Sequence, residues 1–308
     1  MCSLKSPASI NDYLYPNNLP SYSNYGTIGL IQNPTSRFLE EGSLALSWTH
    51  NEPYLRGSVI AYPFNFFEAS YQYVDINNVL YSDVKEFSGS QSRKDKSFDI
   101  KLRLLRESGS FPQLAIGFRD LAGTGVFASE YVVMNKLIRN FDVSLGLGWG
   151  VMSNRGIRNP LLDISDNFSS RAVDKGRGGK FSTDAWFSGE MGVFGGFEYF
   201  FPGVNGLRFK LEYDATDYSK EGFLPLNQKS KVNYGFVYPL NNHVMLKLSY
   251  VKGDTLNFGF SISLNAKRDN PLNQKKDKMA PVQNTNEVQF VTSKSKSNLY
   301  KASLKYLT

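Results

Sequence analysis

The sequence lacks a long apolar run. No stretch of about 18 consecutive apolar residues, the length that a transmembrane helix needs, occurs among its 308 residues. The mean hydropathy of −0.35 is also too polar for a helical membrane protein. The sequence therefore excludes a bundle of membrane-spanning helices.

Cysteine and histidine are scarce, which limits the available chemistry. The one cysteine, Cys2, excludes an intrachain disulfide bond. The two histidines, His50 and His243, argue against a zinc site and a Ser-His-Asp triad, and no Gly-x-Ser-x-Gly motif is present. Gly176–Lys180 lacks the first glycine and the Ser/Thr of a phosphate-binding loop. We therefore expect no catalytic residues, no metal, no cofactor and no enzyme activity.

Aromatic residues and positive charge are abundant. Aromatics reach 14% and glycines number 26, which favours the wall of a membrane β-barrel. The net charge of +7 indicates an anionic partner or an excess of surface lysine, part of it after Lys267. No nucleic-acid-binding motif accompanies the charge, so we expect no nucleic-acid partner.

Residues 43–264 alternate between apolar and polar side chains in segments of eight to twelve residues. In the segment 141–150, Phe141, Val143 and Leu145 oppose Asp142 and Ser144. This period of two predicts strands. We expect about twelve of them, at 43–50, 54–62, 65–75, 97–107, 112–120, 126–137, 140–151, 187–201, 205–217, 229–239, 243–252 and 255–264.

Short connections such as 62–65 and 239–242 contrast with long ones at 76–96, 152–186 and 218–228. Short turns at one end and long loops at the other are typical of an outer-membrane barrel. Alternation alone does not show which face of the strands contacts water. Aromatics such as Trp48 and Trp149 end the apolar faces and favour a lipid-facing outside. The opposite faces would then line a wet lumen with the charged side chains Glu68, Asp99, Lys101, Arg103, Arg119, Arg208, Lys210 and Glu212.

Several motifs resemble a known family. Residues 25–30 read Tyr-Gly-Thr-Ile-Gly-Leu and are followed by Pro34 and Arg37, and residues 115–120 read Ala-Ile-Gly-Phe-Arg-Asp. With the strand at 61–71, they resemble the YjbH/GfcD family of outer-membrane exopolysaccharide proteins over about residues 20–265. The resemblance implies a barrel encoded beside machinery that exports or assembles an extracellular polysaccharide or capsule. Family members are longer, so it also implies a fragment of a longer protein.

The opening motif has its own physical interpretation. Gly26 and Gly29 allow tight turns, Pro34 stops strand pairing, and Arg37 brings a fixed charge. We expect residues 25–37 inside the barrel or at its periplasmic mouth, with Arg37 paired to a lumen carboxylate. An ordinary first strand is the alternative.

The domain organisation follows from these segments. We expect an extended lead-in at 1–24, a plug or first strand at 25–42, the barrel at 43–264, and a polar linker with the start of a further domain at 265–308. The first residues carry no signal-peptide pattern, so we expect a chain that begins near a processed terminus or is a fragment. Cys2 followed by Ser3 would suit a lipidated terminus.

The sequence thus predicts an all-β, antiparallel transmembrane barrel in the bacterial outer membrane. Its predicted function is noncatalytic export or assembly of an extracellular polysaccharide. The predicted partners are outer-membrane lipid, an anionic polysaccharide that contacts the lumen side chains, and other exopolysaccharide-secretion proteins. A small-solute porin and a soluble β-barrel with an apolar interior are the alternatives.

Overall fold

The computed structural model describes residues 19–154, 156–171, 185–204 and 206–269. The chain divides into two compact units, residues 1–266 and 267–308, and all the strands below belong to the first. Cys2, most of the predicted lead-in and most of the predicted segment 265–308 lie outside the described residues.

Twelve antiparallel strands form a closed barrel, in which each strand pairs with the next and β1 pairs with β12. This confirms the predicted all-β architecture and strand number. The strands are Ser43–Asn51 (β1), Tyr54–Phe64 (β2), Phe67–Leu80 (β3), Ser92–Leu105 (β4), Gln113–Arg119 (β5), Ser129–Ile138 (β6), Phe141–Trp149 (β7), Met191–Phe200 (β8), Arg208–Tyr213 (β9), Val232–Pro239 (β10), Val244–Val251 (β11) and Thr255–Asn265 (β12).

The two faces of the barrel wall differ sharply in polarity. On β10, Tyr234 and Phe236 point outward and are 47% and 46% exposed, while the preceding residue, Asn233, points inward and is fully buried. The same arrangement recurs on most strands, so apolar side chains cover the outside and charged side chains fill the inside. The soluble alternative, which requires an apolar interior, does not fit the described residues.

The connections are unequal at the two ends. The short-turn end, where β1 begins, carries the connections 65–66, 106–112, 139–140, 201–207 and 240–243. The loop end carries 52–53, 81–91, 120–128, 150–190, 214–231 and 252–254. The long connection predicted at 76–96 is shorter than expected because β3 continues to Leu80 and β4 begins at Ser92.

The prediction ended β3 too early because its pattern of faces inverts near the loop end. Val74 and Ile76 point inward and are buried. They pack in an apolar cluster with Tyr25, Tyr54 and Phe127, so apolar side chains of the wall point into the lumen at this level. A prediction that expects polar side chains on the inward face therefore ends the strand too early.

Trp149 also departs from its predicted place at the outer rim. It is only 4% exposed and meets Phe187 edge to face, with ring centroids 5.1 Å apart. The connection after β7 thus covers the outer rim at this position.

Helices are few in the described parts of the chain. One α-helical turn, Lys85–Ser88, lies between β3 and β4, and 3₁₀ turns lie at Gly150–Met152, Pro160–Asp163 and Asp166–Phe168. None of the helices in the described ranges has the length and hydropathy needed to cross a membrane.

Candidate functional site in the barrel lumen

A stretch of chain that precedes β1 lies inside the barrel. We call residues 19–39 the lumen segment; nearly all of them are buried. It folds back on itself through the antiparallel bridges Tyr22↔Ile28 and Gly29↔Pro34. Gly26 sits at the first turn with a φ of +88°, a conformation that L side chains rarely adopt.

Inward-pointing cations hold the backbone of the lumen segment. Lys210 Nζ on β9 donates to the carbonyl oxygens of Gly29 and Leu30, each at 2.7 Å. Lys247 on β11 donates to the Ser23 carbonyl at 2.7 Å. Arg119, Arg208 and Lys101 donate in the same way to the carbonyls of Gln32, Leu19 and Arg37, at 2.9, 2.6 and 2.9 Å. These cations therefore hold the segment through its main-chain atoms.

Glu212 on β9 supplies the complementary negative charge. Its carboxylate accepts hydrogen bonds from the backbone N–H groups of Ile31, Gln32 and Asn33 at 2.9, 2.7 and 3.1 Å. Asn233 on β10 donates to the same carboxylate at 2.9 Å. A carboxylate that gathers consecutive backbone N–H groups fixes the conformation of that turn, because each such charge-assisted bond is strong in a buried setting.

Arg37 is paired with two carboxylates near the short-turn end. Its guanidinium donates to both oxygens of Asp142 on β7, at 2.9 and 2.8 Å, and lies 2.6 Å from Glu107. Burial acts to raise the pKa of Glu107, but the Arg37 guanidinium outweighs it and holds that pKa below its usual range. Arg37 thus anchors the end of the lumen segment to the wall.

Tyr25 anchors the opposite end of the segment, close to the loop end. Its ring lies between the guanidinium groups of Arg56 and Arg119, 4.5 and 4.0 Å from the ring centroid. Its hydroxyl donates to Glu221 at 2.5 Å. Burial raises the pKa of Glu221, although the Arg56 guanidinium opposes this. The segment therefore spans the lumen from one mouth to the other.

The remaining predicted lumen residues lie in the same network. Glu68 accepts a hydrogen bond from Tyr62 at 2.6 Å and forms an ion pair with Lys101 at 3.1 Å. The Arg103 guanidinium lies 4.6 Å from the ring centroid of Phe38. The other charged side chains predicted for the lumen thus meet one another or the lumen segment, while Asp99 accepts hydrogen bonds from Gln72 and the Asp120 backbone N–H. Their contact with polysaccharide stays a prediction, and it would require the segment to move.

Sequence reasoning overlooked several residues of this site. Asp142 and Lys247 stand on polar faces that the alternation identified, so charge on an inward face was a sufficient signal for them. Arg56 on β2 shares its inward face with Tyr54, Ile60 and Tyr62, which hides it from a polar-inside pattern. Glu221 lies in a connection, where no periodicity applies.

The network does not have the arrangement of a metal site. Within the residues that the structure describes, no group of three or more His, Cys, Asp or Glu side chains is placed to hold a metal ion. The buried carboxylates instead accept hydrogen bonds from arginine, lysine and backbone N–H groups.

The motifs at 25–37 and 115–120 lie within the part of the chain that matches a known family. The profile of a family described as "Exopolysaccharide biosynthesis protein YbjH" matches residues 21–305. The chain belongs to the YjbH family. This confirms the resemblance seen in the sequence and extends it past residue 265, and the family description names no catalytic activity.

A curated relative supports the same membership. The YjbH-family chain is 40% identical over 247 residues to a protein of Escherichia coli strain K12 named "Uncharacterized lipoprotein YjbH". The match covers 80% of this chain and 35% of the relative, so the chain spans about a third of the relative's length.

Solved structures with detectable likeness are distant. The NanC porin is 8% identical, with a TM-score of 0.33, over 72% of this chain and 97% of its own. Outer membrane phospholipase A from Escherichia coli is 12% identical, with a TM-score of 0.31, over 73% and 97%. The strand pairing described above, and not these likenesses, establishes the fold of the YjbH-family chain.

Proposed function

We propose that this chain is a noncatalytic outer-membrane barrel that serves the export or assembly of an extracellular polysaccharide as a closed scaffold. Family membership supplies the link to exopolysaccharide biosynthesis. The observation that carries the proposal is a barrel with an apolar outside and a charged inside that is filled by its own lumen segment.

The outer wall supports a position within a lipid bilayer. Large apolar side chains on it are about half exposed, among them Leu46 at 52%, Val59 at 48% and Phe98 at 50%. A contiguous apolar surface of this kind requires a lipid or protein cover. The short turns and long loops at opposite ends favour the outer membrane, with the loop end outside the cell.

The filled lumen favours a scaffold over a wide polymer channel. The lumen segment supplies hydrogen-bond partners to Lys101, Lys210, Lys247 and Glu212, and passage of a polymer would remove those partners from the buried charges. An uncompensated buried charge is costly. We therefore place the polysaccharide, and other secretion proteins, at the mouths and loops of the barrel.

A small-solute porin is the competing function. It predicts a steady ion current when the purified chain is placed in a planar lipid bilayer, whether or not polysaccharide genes are present. The closed scaffold predicts no such current.

The first test of the membrane position is fractionation of cells that express the chain behind a signal peptide. The closed membrane barrel should require detergent for extraction and should migrate differently on a gel before and after boiling. A detergent-free monomer that is indifferent to boiling would contradict the membrane position.

The link to polysaccharide is tested in the source bacterium. Deletion of the gene should lower or alter the secreted polysaccharide, and the wild-type gene should restore it. An unchanged amount and composition of polysaccharide in the deletion strain would contradict the proposed role.

A further inference from the structure

A cavity of about 400 Å³ lies at the loop end, outside the lumen network. We call it the vestibule; its lining includes Gly125, Gly150, Ser153, Arg171, Glu190 and Lys220. These residues come from the connections after β5, β7 and β9, so three separate loops enclose it. Its volume falls in the range of small-molecule sites, about 300–1,000 Å³.

Hydrogen bonds between the loops shape the vestibule in advance. Asp217 N donates to the Val151 carbonyl at 2.7 Å, which joins the connection after β9 to the one after β7. The Arg171 guanidinium donates to both oxygens of Glu130, at 2.6 and 2.9 Å. The walls are therefore held by contacts that do not require a ligand, as in most preformed sites.

The charged side chains around the vestibule carry a small net negative charge. Among the charged side chains that line it or pair with its lining, Arg171 and Lys220 are cationic, and Glu190, Glu130 and Asp217 are anionic. Lys220 also donates to Ser153 Oγ at 3.2 Å. This net negative charge would repel an anionic ligand but not an uncharged one.

The lining offers both kinds of hydrogen-bonding group at short range. The Lys220 ammonium and the Arg171 guanidinium donate, and the Glu190 carboxylate accepts, whereas the Ser153 hydroxyl already donates to the Gly150 carbonyl at 2.6 Å and offers its oxygen as an acceptor. Val151 and the glycine backbones add small, flat apolar surfaces between them. Neighbouring hydroxyl groups on a ring with apolar C–H faces match this combination, and such a ring is a sugar.

We propose that the vestibule binds an uncharged sugar unit of the extracellular polysaccharide. The inference rests on the proposed function and names the site and the ligand class within it. It moves saccharide contact from the filled lumen to the loop end, and it replaces the anionic polymer expected from net charge with a neutral segment.

The probe is the polysaccharide secreted by the source bacterium, cut by mild acid and separated by anion exchange into neutral and acidic fragments. Titration calorimetry of the folded, detergent-solubilised chain should show binding of the neutral fragments.

Variants separate the vestibule from the rest of the surface. Glu190→Gln and Lys220→Met each remove one charged hydrogen-bonding group and should weaken binding about tenfold. Ser219→Trp should block the cavity, because Ser219 is exposed and lines it. Glu52→Gln and Lys229→Met are the matched controls, since both are exposed residues at the loop end and neither lines the vestibule.

The outcomes are distinct from those of the proposed function. Loss of neutral-fragment binding in the three vestibule variants, but not in the controls, would support the inference. Binding of acidic fragments alone, equal binding by all variants, or no binding would overturn it. An unchanged polysaccharide in the deletion strain would instead contradict the role in secretion.

Discussion

At the scale of single residues, Glu212 shows how one carboxylate organises the lumen. It accepts from three consecutive backbone N–H groups of the lumen segment, and its own side chain is 1% exposed. Removing an acceptor from buried donors costs more than the bonds themselves contribute, because water does not replace the lost partner. Glu212 therefore stabilises the barrel by fixing the lumen segment inside it.

Glu212→Gln replaces one accepting oxygen with a donor that faces the same N–H groups. We expect the free energy of unfolding in lipid vesicles to fall by about 3 kcal/mol. Urea titration followed by the gel shift measures it. Glu52→Gln, on an exposed side chain, is the control and should change little. Equal stability of Glu212→Gln and wild type would show that the turn forms without this carboxylate.

Gly26 combines an unusual backbone conformation with a close contact. Its φ is +88°, and a Cβ placed there would lie 2.5 Å from Ser58 Cβ. Gly203 has a similar φ of +81° but open space around it. The pair therefore separates backbone strain from crowding.

Gly26→Ala should destabilise the folded barrel by about 2 kcal/mol more than Gly203→Ala, because only the first substitution also forces the lumen segment away from β2. The same urea titration compares the two variants. If both lose the same amount, the close approach to Ser58 does not constrain the segment.

Asp120, which ends the Arg-Asp motif, lies just beyond β5. Burial, together with the neighbouring Asp95 and Asp99, raises the pKa of Asp120 from 3.8 to about 8. Since the folded-state pKa is the higher one, the folded chain keeps a proton that the unfolded chain has released between about pH 4 and pH 8. This group therefore makes stability fall as the pH rises through that window.

Asp120→Asn should flatten this dependence, so the stability of the variant relative to wild type increases from about pH 5 to about pH 8. The thermal midpoint of the gel shift at several pH values measures it. Asp163→Asn is the control: the Arg158 guanidinium holds the pKa of Asp163 below its usual value, so Asp163 stays ionised throughout. Parallel pH profiles for wild type and Asp120→Asn would contradict the assignment.

At the scale of elements, the lumen segment fills the inside of the barrel, although it belongs to none of the twelve strands. Its backbone carbonyls accept hydrogen bonds from cationic side chains on β4, β5, β9 and β11. Apolar residues of the segment, such as Tyr22 and Ile28, pack into the same interior cluster as Ile60 and Tyr62 of β2. The segment thus both closes the lumen and supplies hydrogen-bond acceptors to its buried cations.

Deletion of residues 19–39 should open the lumen and yield an ion current in planar bilayers that the wild-type chain lacks. It should also lower stability, because Lys101, Lys210 and Lys247 lose their carbonyl partners. Replacement of the exposed residues 83–90 by a short glycine linker is the control, since that connection lies outside the lumen. A current of equal size from wild type would favour the porin.

At the scale of the whole molecule, the apolar outer face of the wall makes the proposed membrane position testable by substitution. Phe236 lies on the outer face of β10 between Phe209 and Leu248, and Leu240 lies in the turn that follows. Both are exposed, at 46% and 56%, but only Phe236 would lie within the bilayer.

Phe236→Lys should destabilise the barrel in lipid vesicles by about 2–4 kcal/mol, whereas Leu240→Lys should cost at most about 1 kcal/mol. The folded fraction on an unboiled gel gives both values. Similar stability of the two variants would indicate that the outer wall does not face lipid.

The sequence by itself determined the strands, their approximate number and the contrast between the two faces. Alternation of period two is a local property, and it survives wherever one face is apolar, as on β7 and β10. It failed where the pattern inverts, with Val74 and Ile76 facing inward and Asp75 facing outward. The family motifs were equally readable, since Tyr25, Gly26 and Arg37 stand in a short continuous stretch.

Only the tertiary structure decided which partners those residues have. The pairing of Arg37 with Asp142, and the place of Tyr25 between Arg56 and Arg119, join positions far apart in the chain. The vestibule likewise exists only where three loops converge. The antiparallel pairing of successive strands brings these groups together, and no local pattern encodes a contact between positions so far apart in the chain.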